Sequence, residues 1–166
     1  MRLFGSSDVE ANLTRAETRF REGVKIYEEL REDGVPHPAA QGFQYEWLAK
    51  TYILRGDFTA AEGALSEMKV LFGEELARNP GSGAMAYYNE TFGRLELAKG
   101  NPQEAGYYFE EAKRINTEVV DYPNGRSRAI FGLALVEYEL GNKEKAESLK
   151  AEAYGINPDL GHRGFI

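Results

Sequence analysis

The sequence predicts an all-α fold of stacked helix-turn-helix pairs, and three observations carry that expectation. First, Ala16, Ala61, Ala105 and Ala146 open similar blocks at intervals of 45, 44 and 41 residues: Ala16-x3-Phe20-x2-Gly23, Ala61-x3-Leu65-x2-Met68, Ala105-x3-Phe109-x2-Ala112 and Ala146-x3-Lys150-x2-Ala153. A period of that length marks repeats that bury a face only by stacking on a neighbour. Second, apolar residues recur at helical rather than alternating spacing and β-branched residues are scarce, so no strand is expected. Third, Gly56, Gly100 and Gly141 each begin a two- or three-residue connection. Connections that short force consecutive helices to lie side by side and antiparallel.

Taken in order, the first helix is expected over 8–33. Ser7 and Glu10 have the spacing of a capping box, and Val9, Leu13, Ala16, Phe20, Val24, Tyr27 and Leu30 form its apolar face. Gly34, Pro36 and Pro38 stop it, glycine by accepting the left-handed cap and proline by lacking an amide proton. Helices over 39–54 and 58–78 make a first pair, with Asp57 capping the second member and Asn79-Pro80-Gly81 closing it. A second pair covers 83–99 and 102–120, with Asn101 as N-cap, Pro102 at the first helical position and Glu104 completing the box. Asp121-Tyr122-Pro123-Asn124-Gly125 reads as a turn, and Ser127 as the cap of a third pair over 127–156. The whole of 1–166 is thus expected to be one domain: an N-terminal capping helix, pairs at 39–78, 83–120 and 127–156, and a tail at 157–166.

Composition narrows the function. A chain of 166 residues with 42% hydrophobic and 28% charged residues is globular and long enough for a sizeable core. Nine Phe and ten Tyr against one Trp point to aromatic packing. The absence of cysteine removes disulfides, thiolate metal sites and cysteine nucleophiles, and fits a reducing compartment. A formal charge of −7 disfavours nucleic acid and anionic membrane, which both demand cationic surface. No stretch has the length of a membrane span or a signal-peptide core, so a cytoplasmic location is expected.

Within the pairs, Tyr45-x2-Leu48-Ala49-x2-Tyr52 precedes Ala61 and Leu65. Asn89-x2-Phe92-Gly93-x2-Glu96 precedes Ala105 and Phe109, and Ile130-x2-Leu133-Ala134-x2-Glu137 precedes Ala146, Ala153 and Pro158. This pattern resembles the tetratricopeptide repeat family, whose first helix carries Trp-x2-Leu-Gly-x2-Tyr and whose second carries Ala-x3-Phe followed by Pro. The pairs are longer than that family's standard repeat of about 34 residues, as in the repeats of kinesin light chains, and Glu96 and Glu137 stand where an aromatic is usual. The resemblance implies a right-handed α-α superhelix, or solenoid, of three pairs behind an N-terminal helix. It also implies a non-enzymatic module, an adaptor, scaffold or co-chaperone-like protein, that binds a peptide in a concave groove. A structural protein that self-associates through an uncapped C-terminal end is the alternative, with a homodimer through the last repeat. A helical-repeat RNA binder comes third, disfavoured by charge.

No catalytic constellation is visible. His37 lies in a proline-rich connector and His162 in the tail, neither with a partner at metal-ligand spacing. Glu28-Glu29, Glu74-Glu75 and Glu110-Glu111 fit solvated helix faces, and the glycines form no phosphate loop. No catalytic residue, cofactor or metal is therefore expected. The resemblance directs attention to the first helix of each pair: Phe43, Glu46, Trp47 and Lys50; Tyr87, Glu90 and Arg94; Arg128, Phe131 and Tyr138. Glu46/Lys50 and Glu90/Arg94 read either as solubilising ion pairs or as part of a cationic groove. In the second reading Lys50, Arg94 and Arg128 would meet an acidic or C-terminal carboxylate group of a peptide. The family's chaperone-tail binders add asparagines, but Thr91 and Gly132 stand at two of those places. Trp47, the sole tryptophan, either faces the ligand as an anchor or packs on the N-terminal helix.

Overall fold

The computed structural model describes residues 6–160, with side chains from residue 8 onward. The Ser7 side chain of the expected capping box, His162 and tail residues 161–166 lie outside the described residues. Among the described residues the chain is helical, with no strand: α1 (Ser6–Glu32), α2 (Pro38–Arg55), α3 (Phe58–Arg78), α4 (Ala84–Ala98), α5 (Pro102–Arg114), a π-helical segment (Ile115–Val119), α6 (Pro123–Glu139) and α7 (Lys143–Ile156).

Four of these helices end in one way. The amide of Gly34, Gly56, Gly100 or Gly141 bonds three residues back, and the next amide reaches five back, as in Asp57 N to Tyr52 O at 2.9 Å, Asn101 N to Glu96 O at 2.8 Å and Asn142 N to Glu137 O at 2.8 Å. This is the Schellman stop, which requires a left-handed residue; the four glycines have φ of 79° to 84°. Asp57 then caps α3 by accepting from Ala60 N at 3.1 Å.

Asn101 and Asn142 do not act as side-chain caps. Each spends its amide on the glutamate one turn before the glycine: Asn101 Nδ2 donates to Glu96 and Asn142 Nδ2 to Glu137, both at 2.8 Å. Lys99 and Lys145 donate to the second oxygen of the same carboxylates, at 2.9 Å and 2.6 Å. The glutamates that stand where an aromatic was expected therefore clamp the turn that follows them.

Two further expectations are corrected. Helix α6 begins at Pro123, not Ser127, because proline suits the first helical position, with its φ preset and no amide to satisfy; Ser127 is buried inside the helix and donates to Asn124 O at 3.0 Å. The long helix expected over 102–120 leaves α geometry after Arg114. Asn116, 2% exposed, donates from Nδ2 to Ala112 O at 2.9 Å, and its own carbonyl accepts from Tyr122 N at 2.8 Å. Competing side-chain and chain-reversal bonds of this kind accompany a widened turn.

The chain divides into two compact units, Met1–Glu75 and Leu76–Ile166. In the first, α1 packs along α2 through close approaches such as Gly23 to the Gln44 side chain, and the Phe72 ring of α3 lies on the bare backbone of Gly42. Ala49, Ala61, Met68 and Phe72 are fully buried there. In the second unit α4 packs on α5, α5 on α6 and α6 on α7. Its centre is Phe109, fully buried with Ala105, Leu133 and Val136. Gly93 leaves room for that ring, since a β-carbon there would stand 3.0 Å from it, and Gly132 is pressed against its other atoms.

Candidate functional site

The first unit presents an aromatic platform. Phe20, on the apolar face of α1, stacks on Trp47 of α2 with centroids 5.8 Å apart and planes 13° from parallel. Lys50, one turn beyond, sets Nζ 4.6 Å from the Trp47 ring centroid and donates to Glu46 Oε1 at 2.5 Å. Glu46 itself is only 3% exposed. Trp47 packs on the N-terminal helix, as one of the two sequence readings had it, and it remains 45% exposed. A stacked ring with a cation over it has little rotational freedom left to lose on binding. Beside Phe20, a depression of about 390 Å³ is lined by Asn12, Arg15, Ala16 and Arg19. Arg15, whose guanidinium donates to Asn12, and Arg19 are thus the cationic residues of the depression beside Phe20. Phe43 does not join it, turning instead edge-on to Phe72 at 5.2 Å.

A network the sequence did not reveal anchors α1 to α2 one turn from the Phe20–Trp47 stack. Glu17 accepts from Arg55 NH1 at 2.6 Å, from the Tyr52 hydroxyl at 3.0 Å and from Arg21 Nε at 3.0 Å. The Arg55 bond is the main cause holding the Glu17 carboxyl below the usual carboxylate range, against burial. Tyr52 sits at a motif position that predicted packing; its hydroxyl was the unread half.

In the second unit Glu90 is the hub. It is 2% exposed and accepts from Arg94 NH2 at 3.2 Å and from Arg128 Nε at 2.8 Å. Arg128 lies 5.0 Å from the Tyr87 ring centroid and 5.9 Å from that of Tyr122. Burial pulls its pKa down, but the charge and hydrogen bond of Glu90 outweigh this and hold it above the ordinary arginine value. The π-helical segment places Tyr122: Asn116 and Asp121, whose φ is 44°, turn the chain so that Tyr122 reaches Arg128. Gly125 permits it, pressed against Asn116 and the Tyr122 ring.

The cationic set Lys50, Arg94 and Arg128 is thereby corrected. Arg128 has 7% of its side chain exposed and is committed to Glu90, so it holds α6 to α4 and does not present charge to a ligand. Neither Glu46/Lys50 nor Glu90/Arg94 is a solvated surface pair, because both glutamates are buried.

Phe131 and Tyr138 belong to another feature. With Ala134 and Leu135 of α6 and Ala146, Glu147 and Lys150 of α7 they line a depression of about 230 Å³. Phe131 is backed by Ile130, Ala153 and Leu160, whereas Tyr138 is 59% exposed.

Among the described residues no cluster of His, Asp and Glu could hold a metal ion, and no helix is long and apolar enough to cross a membrane. His37 packs edge-on to Tyr27 at 6.2 Å. Comparison of the chain with protein-family models, curated proteins and solved structures gave no match.

Proposed function

We propose that this chain is a tetratricopeptide-like interaction module that binds an acidic, aromatic-bearing peptide segment on the Phe20–Trp47 platform. The observation that carries the reading is the platform itself: a half-exposed tryptophan, stacked on one side and topped by Lys50. Exposed aromatics held in place are the common anchors of protein interfaces. Lys50, Arg15 and Arg19 around the stack supply the charge for a carboxylate-rich partner. The family reading is supported by small residues buried at both positions of each pair: Ala49 with Ala61, Gly93 with Ala105, Ala134 with Ala146. The lack of cysteine and the net charge of −7 fit a cytoplasmic, non-enzymatic role and a solenoid arrangement leaves first-helix faces open for ligands.

Short acidic peptides carrying one phenylalanine test this directly. Titration should change Trp47 fluorescence saturably and weaken as salt rises, and calorimetric titration should show the binding lost in Trp47→Ala. A response to neutral peptides equal to that for acidic ones, or none to either, would sink the reading.

A further inference from the structure

We propose that the depression between α6 and α7 is a seat for one amphipathic helix of a partner protein, whose contact stripe runs apolar, then acidic, then basic at successive turns. The argument rests on an internal precedent. Moving by the interval that separates Ala105 from Ala146 carries Glu90 onto Phe131, Leu97 onto Tyr138, Gly106 onto Glu147 and Phe109 onto Lys150. These translates line the depression. The surface of α4 and α5 from which they are translated is already filled, and its occupant is a helix of this chain.

That occupant is α6, and it reads the surface with one stripe. Arg128 meets Glu90, donating at 2.8 Å. Gly132, one turn on, is pressed against Phe109, and Val136, a further turn on, would touch a β-carbon on Gly106 at 3.5 Å. Residues four apart share one helix face, so three contacts in a row define both the seat and the direction of the helix in it. Over α6 and α7 no helix among the described residues plays this part, and Leu135 and Tyr138 are left 37% and 59% exposed.

The changed lining states what the absent helix must carry. Where Glu90 required Arg128, Phe131, only 7% exposed over Ile130, Ala153 and Leu160, forms an apolar floor beside Leu135 and Tyr138, and the side chain that meets it must be apolar, since an unpaired charge there would be desolvated without compensation. Where Phe109 met Gly132, Lys150 now stands, and an acidic residue complements it. Where Gly106 met Val136, Glu147 stands, and a basic residue complements it. Lys150 and Glu147 pair with each other at 3.6 Å, but 48% and 71% of their side chains are exposed, so a partner's charges can compete for both at the rim. Apolar floor and charged rim are the usual division of an interface.

The seat uses none of the residues of the Trp47 platform, so either can fail without the other. The probes are two fluorescein-labelled peptides built on α6, residues 123–139, each stapled as a helix on its outer face. The matched peptide carries Arg128→Leu, Gly132→Glu and Val136→Lys; the reversed one carries Arg128→Leu, Gly132→Lys and Val136→Glu. Fluorescence anisotropy with the full chain should show saturable binding of the matched peptide, about tenfold tighter than the reversed. The double variant Glu147→Lys with Lys150→Glu, which keeps its own ion pair and is checked for fold by circular dichroism, should invert the preference. Trp47→Ala should leave matched binding unchanged. Equal binding, no binding, or a preference that does not invert overturns the proposal. So does sedimentation showing a dimer that Leu135→Glu dissolves, which would assign the seat to a second copy of the chain.

Discussion

Arg128 on α6 donates through Nε to the Glu90 carboxylate on α4 at 2.8 Å, with both side chains almost wholly out of water. Removing one partner strands the other charge in a place that cannot hydrate it. Arg128→Ala should therefore cost about 3–5 kcal/mol in urea unfolding. The double variant Arg128→Met with Glu90→Leu should recover much of that loss, because Arg94, 24% exposed, can turn to solvent. A double variant as unstable as the single one would show that packing by the guanidinium, not its charge, is what matters here.

The Phe109 ring has glycine on both sides, Gly93 from α4 and Gly132 from α6. Gly132→Ala and Gly93→Leu should each overpack this site and cost about 1–3 kcal/mol by denaturant midpoint. Combining Gly132→Ala with Phe109→Leu should be less damaging than the two losses added, since the smaller side chain makes room for the methyl group. Simple additivity would mean that the ring and Gly132 do not compete for the same space.

Acid should loosen the molecule through two carboxylates. Arg55, chiefly, holds Glu17 below the usual range; burial raises Glu96, but Lys99 and Asn101 outweigh it and hold it low as well. A carboxylate depressed in the folded state adds stability above its unfolded pKa and loses it as pH falls through the folded value. Wild-type stability should therefore fall as pH drops below the ordinary glutamate range and on through the lower folded-state values. Glu17→Gln and Glu96→Gln should be less stable at pH 7 and should show a flatter pH dependence. An unchanged slope in both variants would place the acid sensitivity elsewhere.

Gly56, Gly100 and Gly141 have φ of 79°, 82° and 84°, and a β-carbon on any of them would meet nothing within 4 Å. Alanine there carries no clash and only the left-handed backbone penalty, about 1–2 kcal/mol. The three single variants should lose similar amounts in thermal unfolding. One that lost far more would reveal a contact specific to that turn.

The helices were legible because they are written in local chemistry. The glycine turns, Pro102 at the start of α5 and the alanine period all act within a few residues of where they stand, whereas Pro38 reads as a stop and Pro123 as part of a turn although each opens a helix. The π-helical segment was not legible, because Asn116 looks like any polar helix residue until its amide finds Ala112 O and Tyr122 closes back on it. The site was half legible. Trp47 and Lys50 were found together by spacing, and Phe20 was on the predicted apolar face of α1. Arg128 was misassigned, since one strand of text cannot show that Glu90, thirty-eight positions away, claims it. Asn101 was misread for a related reason: a residue suited to capping the next helix was already taken by the glutamate behind it.

That glutamate clamp has a consequence in time. Glu96 reaches Asn101 and Glu137 reaches Asn142 within five positions of chain, and the Schellman amides close the same loops. Such contacts form with little loop-closure entropy, and a chain rich in them has low contact order. The α4–α5 and α6–α7 hairpins can therefore assemble independently before Arg128 and Phe109 join them, and refolding of the second unit should be governed by that joining step.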